Sequence, residues 1–173
     1  MSQTLQYIAK PRSRKQIREY ANKLRDILKI PLDKPFPVLK FVELVLPKLD
    51  EEFVFEVREV SQMPDKYGET IPKDNTIIIR QDVYDGANCG NHRDLFTIAH
   101  ELGHYIYHSD ETISLARLSN DRIIKKYEDP EWQANTFAGE LLCPSNMARN
   151  MDIQNIVDTY NVSFKVAEIQ HNK

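Results

Sequence analysis

The residues of this chain best suited to chemistry are two histidines four positions apart, with a glutamate directly after the first. They belong to residues 100–104 (HELGH), within a run over residues 93–108 that is typical of a helix and for which Asn91 is the expected N-cap. Histidines at this spacing share one helix face, so both imidazoles can bind the same metal ion. Glu101 lies about 100° further round the helix, where it can reach a water in the open metal position. The pattern predicts two zinc ligands, His100 and His104, and a general base, Glu101.

The alternative for this segment is a surface helix that carries two solvent-exposed histidines. The neighbouring positions argue against it, because most of them are apolar: Leu95, Phe96, Ile98, Ala99, Leu102 and Ile106. A helix with so little polar surface is expected to be partly buried, and unpaired buried polar groups are costly. A bound metal would satisfy the polar side chains of the HELGH segment.

A zinc site of this kind needs a third protein ligand. His108 continues the face of His100 and His104, but each four-residue step rises about 6 Å, so it lies out of reach while the helix continues. Asp110 stands where metzincins place their third ligand, but that pattern needs a glycine at the position of Tyr107. Neither residue is therefore favoured.

A second helix further along the chain offers carboxylates instead. Asp129 is a good N-cap, Pro130 suits the first helical position, and the helix is expected to run over residues 131–142 and stop before Pro144. Its small and apolar residues suit close packing against the HELGH helix: Ala134, Phe137, Ala138 and Leu141.

Two glutamates of this second helix compete for the role of third ligand. Glu131 and Asn135 share one face, so Glu131 could bind the metal while Asn135 accepts a hydrogen bond from a ligand histidine. Glu140 is nine residues, about 180°, round the helix from Glu131, so only one of the two can face the metal. The spacing favours Glu131, with Glu140 as the rival.

The segments over residues 96–104 (FTIAHELGH) and 131–144 (EWQANTFAGELLCP) together resemble the ImmA/IrrE family of bacterial and phage metallopeptidases. That family shows a Phe-Thr-x-Ala-His-Glu-x-Gly-His helix followed by a Glu-x-x-Ala-Asn-x-Phe-Ala-x-x-Leu-Leu-x-Pro helix. The glutamate that opens the second motif is the usual third ligand there, and it maps onto Glu131. The resemblance implies zinc-dependent cleavage of a partner protein, commonly a helix-turn-helix repressor of a phage, mobile element or stress response. Some relatives act as toxin-like partners of such a regulator.

Length and composition limit the other function classes. The 173 residues suit one domain, and 41% hydrophobic with 28% charged residues is ordinary for a soluble globular protein. The formal net charge of −3 argues against direct binding of nucleic acid. No apolar stretch reaches membrane-spanning length, and the two cysteines are too few for a disulfide framework, so we expect a cytoplasmic protein.

The remaining elements predict an α+β fold, zincin-like by the resemblance, with a small antiparallel or mixed sheet packed against helices. N-terminal helices are expected over residues 13–28 and 38–46, the second ended by Pro47. Strands are expected over residues 53–60 and 75–80, separated by a loop at 65–72 and followed by a loop at 82–90. Two short helices are expected over residues 152–160 and 163–170.

We therefore expect a single metallopeptidase domain over residues 1–173, in three consecutive parts. Residues 1–48 would form the N-terminal helices, 49–110 the sheet and the HELGH helix, and 111–173 the third-ligand helix and C-terminal helices. Residues 109–128 could be a lid over the cleft or a plain surface connection with a short helix near residues 121–126. The strand around residues 77–80 is a candidate for pairing with an extended substrate.

The expected mechanism is metal-assisted peptide hydrolysis. Zinc lowers the pKa of its water toward about 7, and Glu101 takes the proton and passes it to the leaving amine. Manganese or iron could also occupy a His/His/Glu site. Cys89 could be an inhibitory ligand but is better interpreted as an ordinary loop thiol. The donor to the oxyanion stays open among four tyrosines: Tyr84, Tyr105, Tyr107 and Tyr127.

A second function class is a binding module that sequesters a repressor or antitoxin without cutting it. Glu101 favours the enzyme, because a site that only binds metal needs ligands and has no chemical need for a general base.

Overall fold

The computed structural model describes residues 5–108, 113–117 and 124–173, with the backbone alone for residues 5–6 and 113–117. The strands are β1 (Leu5–Ala9), β2 (Val54–Arg58), β3 (Gly68–Ile71), β4 (Thr76–Arg80) and β5 (Ile113–Arg117). The helices are α1 (Arg14–Ile27), α2 (Val38–Lys40), α3 (Leu46–Leu49), α4 (Gln81–Asn88), α5 (His92–Tyr107), α6 (Pro130–Leu142), α7 (Ser145–Ala148), α8 (Ile153–Tyr160) and α9 (Phe164–His171). Three 3₁₀ turns lie at Val60–Gln62, Pro72–Asp74 and Lys126–Glu128.

The sheet confirms the expected α+β fold with a mixed sheet. The strand order is β2-β4-β3, with β2 parallel and β3 antiparallel to β4. The central strand β4 is buried along its whole length, as its run of isoleucines predicts. Since β4 has a neighbouring strand on each side, it cannot pair with an extended substrate, so its candidacy for that role is wrong.

One of the two edge strands of the sheet is β3, within residues 65–72, where the sequence predicted only a loop. Its residues, Gly68 to Ile71, lack the alternation of apolar and polar side chains that marks a half-buried strand. Pairing with β4 holds the segment extended, and its inner face lies against α5. Tertiary contact, rather than local preference, therefore makes this strand.

Residues 82–90 were also expected to form a loop, and most of them belong to helix α4. Asp, Asn and Gly are poor helix formers, which explains the wrong prediction. Val83 and Ala87, four residues apart, are both buried, so packing of one helix face outweighs the low propensity. Gly86 allows close approach to α5, because a Cβ there would meet the carboxylate of Asp94 at 2.0 Å.

The second N-terminal helix was expected to end at Pro47, but the helical segment continues past this residue. The chain continues from α2 through a π-helical segment, Phe41–Val45, into α3, which ends at Leu49. A proline ring inside a helix clashes with the carbonyl four residues before it. The wider turn, in which the amide of Leu46 donates to the carbonyl of Phe41, accommodates that ring.

The two motif helices begin as their sequences predict. The Asn91 side chain accepts hydrogen bonds from two backbone amides of the first turn of α5, and Asp129 accepts one at the start of α6. The helices pack directly on each other. At their contact, a Cβ on Gly103 would meet the Cα of Ala134 at 3.0 Å and a ring carbon of Phe137 at 3.2 Å.

We expect Gly103→Val to lower the free energy of unfolding of the metal-free protein by roughly 1–3 kcal/mol, the usual cost of overpacking. The added atoms would meet the backbone of Ala134, which cannot move aside as a flexible side chain can. Urea unfolding followed by circular dichroism measures the effect. A midpoint equal to that of the wild type would contradict this account of the helix contact.

The rest of the chain surrounds this pair of helices. Helices α1 and α9 contact α6, while β1 and β5 form an antiparallel ribbon. The two predicted C-terminal helices are confirmed as α8 and α9. Residues 109–112 and 118–123 lie outside the described residues, and with them half of the predicted lid, part of the predicted helix near residues 121–126, and Asp110. No helix in the described part of the chain combines the length and apolar character that a bilayer span requires.

Candidate metal centre

Helices α5 and α6 bring three predicted ligands to one point. The Nε2 atoms of His100 and His104 lie 3.0 Å apart. The Glu131 carboxylate faces both, with one oxygen 3.3 Å from His100 Nε2 and the other 3.2 Å from His104 Nε2. Tetrahedral zinc with bonds of about 2.0–2.1 Å separates its ligands by roughly 3.3 Å. The spacing of the three groups therefore fits a metal ion of this size.

The hydrogen bonding of His100 supports the same interpretation. Its Nδ1 lies 3.0 Å from Oδ1 of Asn135, the residue that was predicted to accept from one of the ligand histidines. A carbonyl oxygen only accepts, so Nδ1 carries the hydrogen and Nε2 of neutral His100 presents a bare lone pair. That lone pair faces the Glu131 carboxylate, which also only accepts. The arrangement needs a cation between these groups, either a proton or a metal ion.

The charges of the cluster are arranged to hold such a cation. Hydrogen bonds with His100 and His104 hold the pKa of Glu131 well below its ordinary value, so this carboxylate is ionised. Burial lowers the pKa of His100, but Glu131 and the charge of Glu101 outweigh burial and raise it overall. Among the described residues, His100, His104 and Glu131 form the one group with three ligand atoms within 4.8 Å of one another. They make a possible His/His/Glu metal site.

The site is open to solvent on one side. The Glu131 side chain is 66% exposed, while the side chains of His100 and His104 are 18% and 16% exposed. A ligand set with one accessible side leaves room for a further group on the metal, which distinguishes catalytic from structural zinc sites.

Glu101 lies beside the cluster and is held by strand β3. It is only 7% exposed, and the Thr70 hydroxyl lies 2.7 Å from its Oε2 and 2.9 Å from its backbone carbonyl. Burial raises the pKa of Glu101, opposed by the hydroxyl of Thr70 and by the two histidines. Gly68 makes room for this side chain, since a Cβ there would lie 2.8 Å from its Cγ.

Sequence reasoning did not find Thr70 and Gly68. Both lie on a short strand that was predicted to be a loop, and neither residue type indicates a site by itself. They become visible as site residues only through the pairing of β3 with β4, which places both against α5.

The rival carboxylate, Glu140, lies elsewhere. It is fully buried and accepts hydrogen bonds from the backbone amide and the hydroxyl of Ser145, at 3.2 and 2.9 Å. The Arg18 guanidinium lies 3.5 Å away. Its charge also acts on Arg14 and Lys173, so Glu140 serves as the counter-ion of a basic cluster.

The other candidates from the sequence are dispersed. Cys89 is exposed at the end of α4 and is not one of the three clustered groups. The hydroxyls of Tyr84 and Tyr105 donate to Glu43 and Asp50, away from the cluster.

Tyr107 packs its ring against Phe137 on the interior side of α5. Tyr127 lies in the turn that precedes α6, with its side chain partly exposed. Of the four tyrosines, Tyr127 alone is close in sequence to the start of α6 and has a hydroxyl for which no hydrogen bond is described.

His108 is fully buried at the end of α5, behind His104 rather than in the cluster. Its Nδ1 lies 2.8 Å from Nδ1 of His104. Burial is the main cause that lowers the pKa of His108 to about 4, and the charge of His104 is the second. The imidazole of His108 is therefore neutral at neutral pH. The expectation that it cannot reach the metal together with the other two histidines agrees with this position.

Comparison with known proteins identifies the motif region. A peptidase-family model described as the IrrE N-terminal-like domain matches residues 73–171, more than half of the chain. The matched region includes both motif helices and the central strand β4. No curated protein gives a significant match.

Proposed function

The chain belongs to the IrrE N-terminal-like peptidase family, and from this premise we propose that it is a zinc-dependent endopeptidase of the HExxH type. The observation that carries the proposal is the convergence of two histidine Nε2 atoms and an ionised carboxylate, with the buried Glu101 beside them. A peptidase of this family acts on a protein substrate.

In this proposal His100, His104 and Glu131 hold the metal, for which manganese and iron are alternatives to zinc. When bound, the metal polarises the scissile carbonyl and lowers the pKa of the attacking water. Glu101 takes the proton of that water on its carboxylate and then delivers it to the leaving amine. The Thr70 hydroxyl holds the carboxylate toward the cluster while this transfer takes place.

The strand β3 is the proposed docking site for the substrate, along the edge that does not pair with β4. Its inner neighbour is β4, while its other edge has no strand partner among the described residues. An extended peptide can add to such an edge through backbone hydrogen bonds. Since the Thr70 hydroxyl of β3 contacts Glu101, a peptide on this edge would lie close to the proposed general base.

For the substrate we propose a helix-turn-helix repressor or antitoxin, the class that the resemblance to the ImmA/IrrE family implies. Such a regulator works on the chromosome, so the cleavage would take place in the cytoplasm. The net charge of −3 suits recognition of the protein rather than of its DNA.

The test is cleavage of the regulator encoded beside this gene, followed by mass spectrometry of the fragments. We expect a single cut with zinc-loaded protein, loss of cutting after removal of the metal by a chelator, and recovery when zinc is restored. Manganese and iron(II) are added in parallel to compare metals. Tight binding of the regulator without cutting, by protein with a full equivalent of metal, would replace the peptidase by the non-cleaving binding module.

A further inference from the structure

A chain of buried hydrogen bonds leads away from the metal site behind His104. Nδ1 of His104 contacts Nδ1 of His108 at 2.8 Å, and Nε2 of His108 contacts Oε1 of Gln133 at 3.1 Å. His108 is 1% exposed and Gln133 is 0% exposed. Neither residue is a ligand, and the mechanism proposed above uses neither.

The far end of this chain fixes the orientation of the Gln133 amide. Its nitrogen donates to the backbone carbonyls of Lys10 and Tyr127, each at 2.8 Å, and carbonyls only accept. Its oxygen faces the guanidinium of Arg12 at 3.5 Å, and arginine only donates. These three contacts fix the amide so that its oxygen, and not its nitrogen, faces His108.

The hydrogens of the two histidines then follow. Because the amide oxygen only accepts, Nε2 of His108 carries the hydrogen and donates to it. Neutral His108 therefore has a bare Nδ1, which accepts from Nδ1–H of His104. With its hydrogen on Nδ1, His104 presents the lone pair of Nε2 to His100 and Glu131.

We propose that His108 and Gln133 are positioning residues that fix the tautomer and the ring orientation of the metal ligand His104. They do for His104 what Asn135 does for His100, but through a buried relay instead of one exposed amide. The relay ends on two backbone carbonyls, before α1 and before α6. The inference rests on the proposed function only in that His104 binds metal.

The test compares three replacements of His108 by their affinity for zinc, measured in competition with a chromophoric chelator. His108→Asn can place an acceptor near the position of Nδ1, within reach of His104. His108→Gln can place its amide near the position of Nε2, within reach of Gln133 only. His108→Phe removes both contacts and keeps an aromatic ring of similar size.

We expect zinc affinity to fall by about 10- to 100-fold for His108→Phe, as for other residues that orient a metal ligand. His108→Gln should bind as weakly, and His108→Asn should recover most of the loss. The absorption spectrum of cobalt(II)-loaded protein should differ from that of the wild type for the Phe and Gln variants. If His108→Phe does not fold, the zinc affinities of His108→Asn and His108→Gln still test the positioning role, because only the Asn variant should bind zinc nearly as tightly as the wild type.

Gln133→Leu has a matched control in Gln170→Leu. Gln170 is also fully buried, and its amide donates to the carbonyl of Cys143 at 2.7 Å, remote from the cluster. Both variants should unfold at lower urea concentration than the wild type, but only Gln133→Leu should lose zinc affinity.

Equal zinc affinity in the wild type and His108→Phe would overturn the positioning role and leave the proposed function intact. The role is equally refuted if zinc affinity simply follows unfolding stability across all these variants, Gln170→Leu included. A folded wild-type chain that binds no metal would overturn the proposed function, and this inference with it.

Discussion

Glu101→Gln is expected to lower the rate of substrate cleavage by about 10²–10⁴-fold, the usual contribution of a general base. The glutamine keeps the size of the side chain, and its oxygen can still accept the hydrogen bond of Thr70. It has no carboxylate, however, and so cannot take a proton from water. Because Glu101 is not one of the three clustered ligands, the bound zinc per chain should stay at the wild-type value.

The control for this substitution is Glu56→Gln, which makes the same change of charge on strand β2. Glu56 pairs with Arg58 on the surface, at the other edge of the sheet from β3. Its replacement should leave both the cleavage rate and the zinc content unchanged. If Glu101→Gln cut the substrate at the wild-type rate with zinc bound, Glu101 would not be the base and the proposed mechanism would fail.

The motif helices could be predicted because their signals are local. The start of α5 at Asn91 and that of α6 at Asp129 follow from side chains that cap the first turn, and the structure confirms both. The position of Asn135 on the same helix face as Glu131 predicted that it would accept from a ligand histidine, and the structure shows that this histidine is His100. The family and the α+β fold class are confirmed as well.

The wrong predictions concern segments whose structure depends on distant residues. Strand β3 has no pattern of its own and is held extended by β4, while α4 is helical because Val83 and Ala87 are buried. Pro47 was expected to end a helix, because the sequence gives no sign of the π-helical segment that accommodates the proline ring. The consequence for function is specific: the strand that borders the site, and the Thr70 that holds Glu101, were both missed.

His108 shows the same limit inside a well-predicted helix. Its spacing argued against it as a third ligand of the same ion, but could not indicate what it does instead. The relay to Gln133 requires two backbone carbonyls from segments more than 100 residues apart, at Lys10 and Tyr127. Contacts of this kind depend on the folded chain, whereas the ligands of an HExxH site follow from spacing on one helix.

The two glutamates of α6 should separate metal binding from stability. Glu131→Gln is expected to weaken zinc binding by at least about 100-fold. Removal of a residue that only hydrogen-bonds to a metal ligand already lowers the affinity by about 10- to 100-fold, and loss of the ligand itself should cost more. Its side chain is 66% exposed, so the free energy of unfolding of the metal-free protein should change little. Zinc affinity from chelator competition and urea unfolding without metal give the two values.

Glu140→Gln should do the opposite. The glutamine can still accept from Ser145, but it removes the negative charge that faces Arg18 at 3.5 Å and acts on Arg14 and Lys173. Leaving buried groups without their charged partner typically costs on the order of 1–3 kcal/mol, so this variant should unfold at lower urea concentration. Its zinc affinity should equal that of the wild type.

If zinc binding were lost with Glu140→Gln and kept with Glu131→Gln, the third ligand would be Glu140 and the geometry of the site would have to change. The two substitutions remove the same charge from the same helix, so a difference between their effects follows from the different surroundings of the two carboxylates.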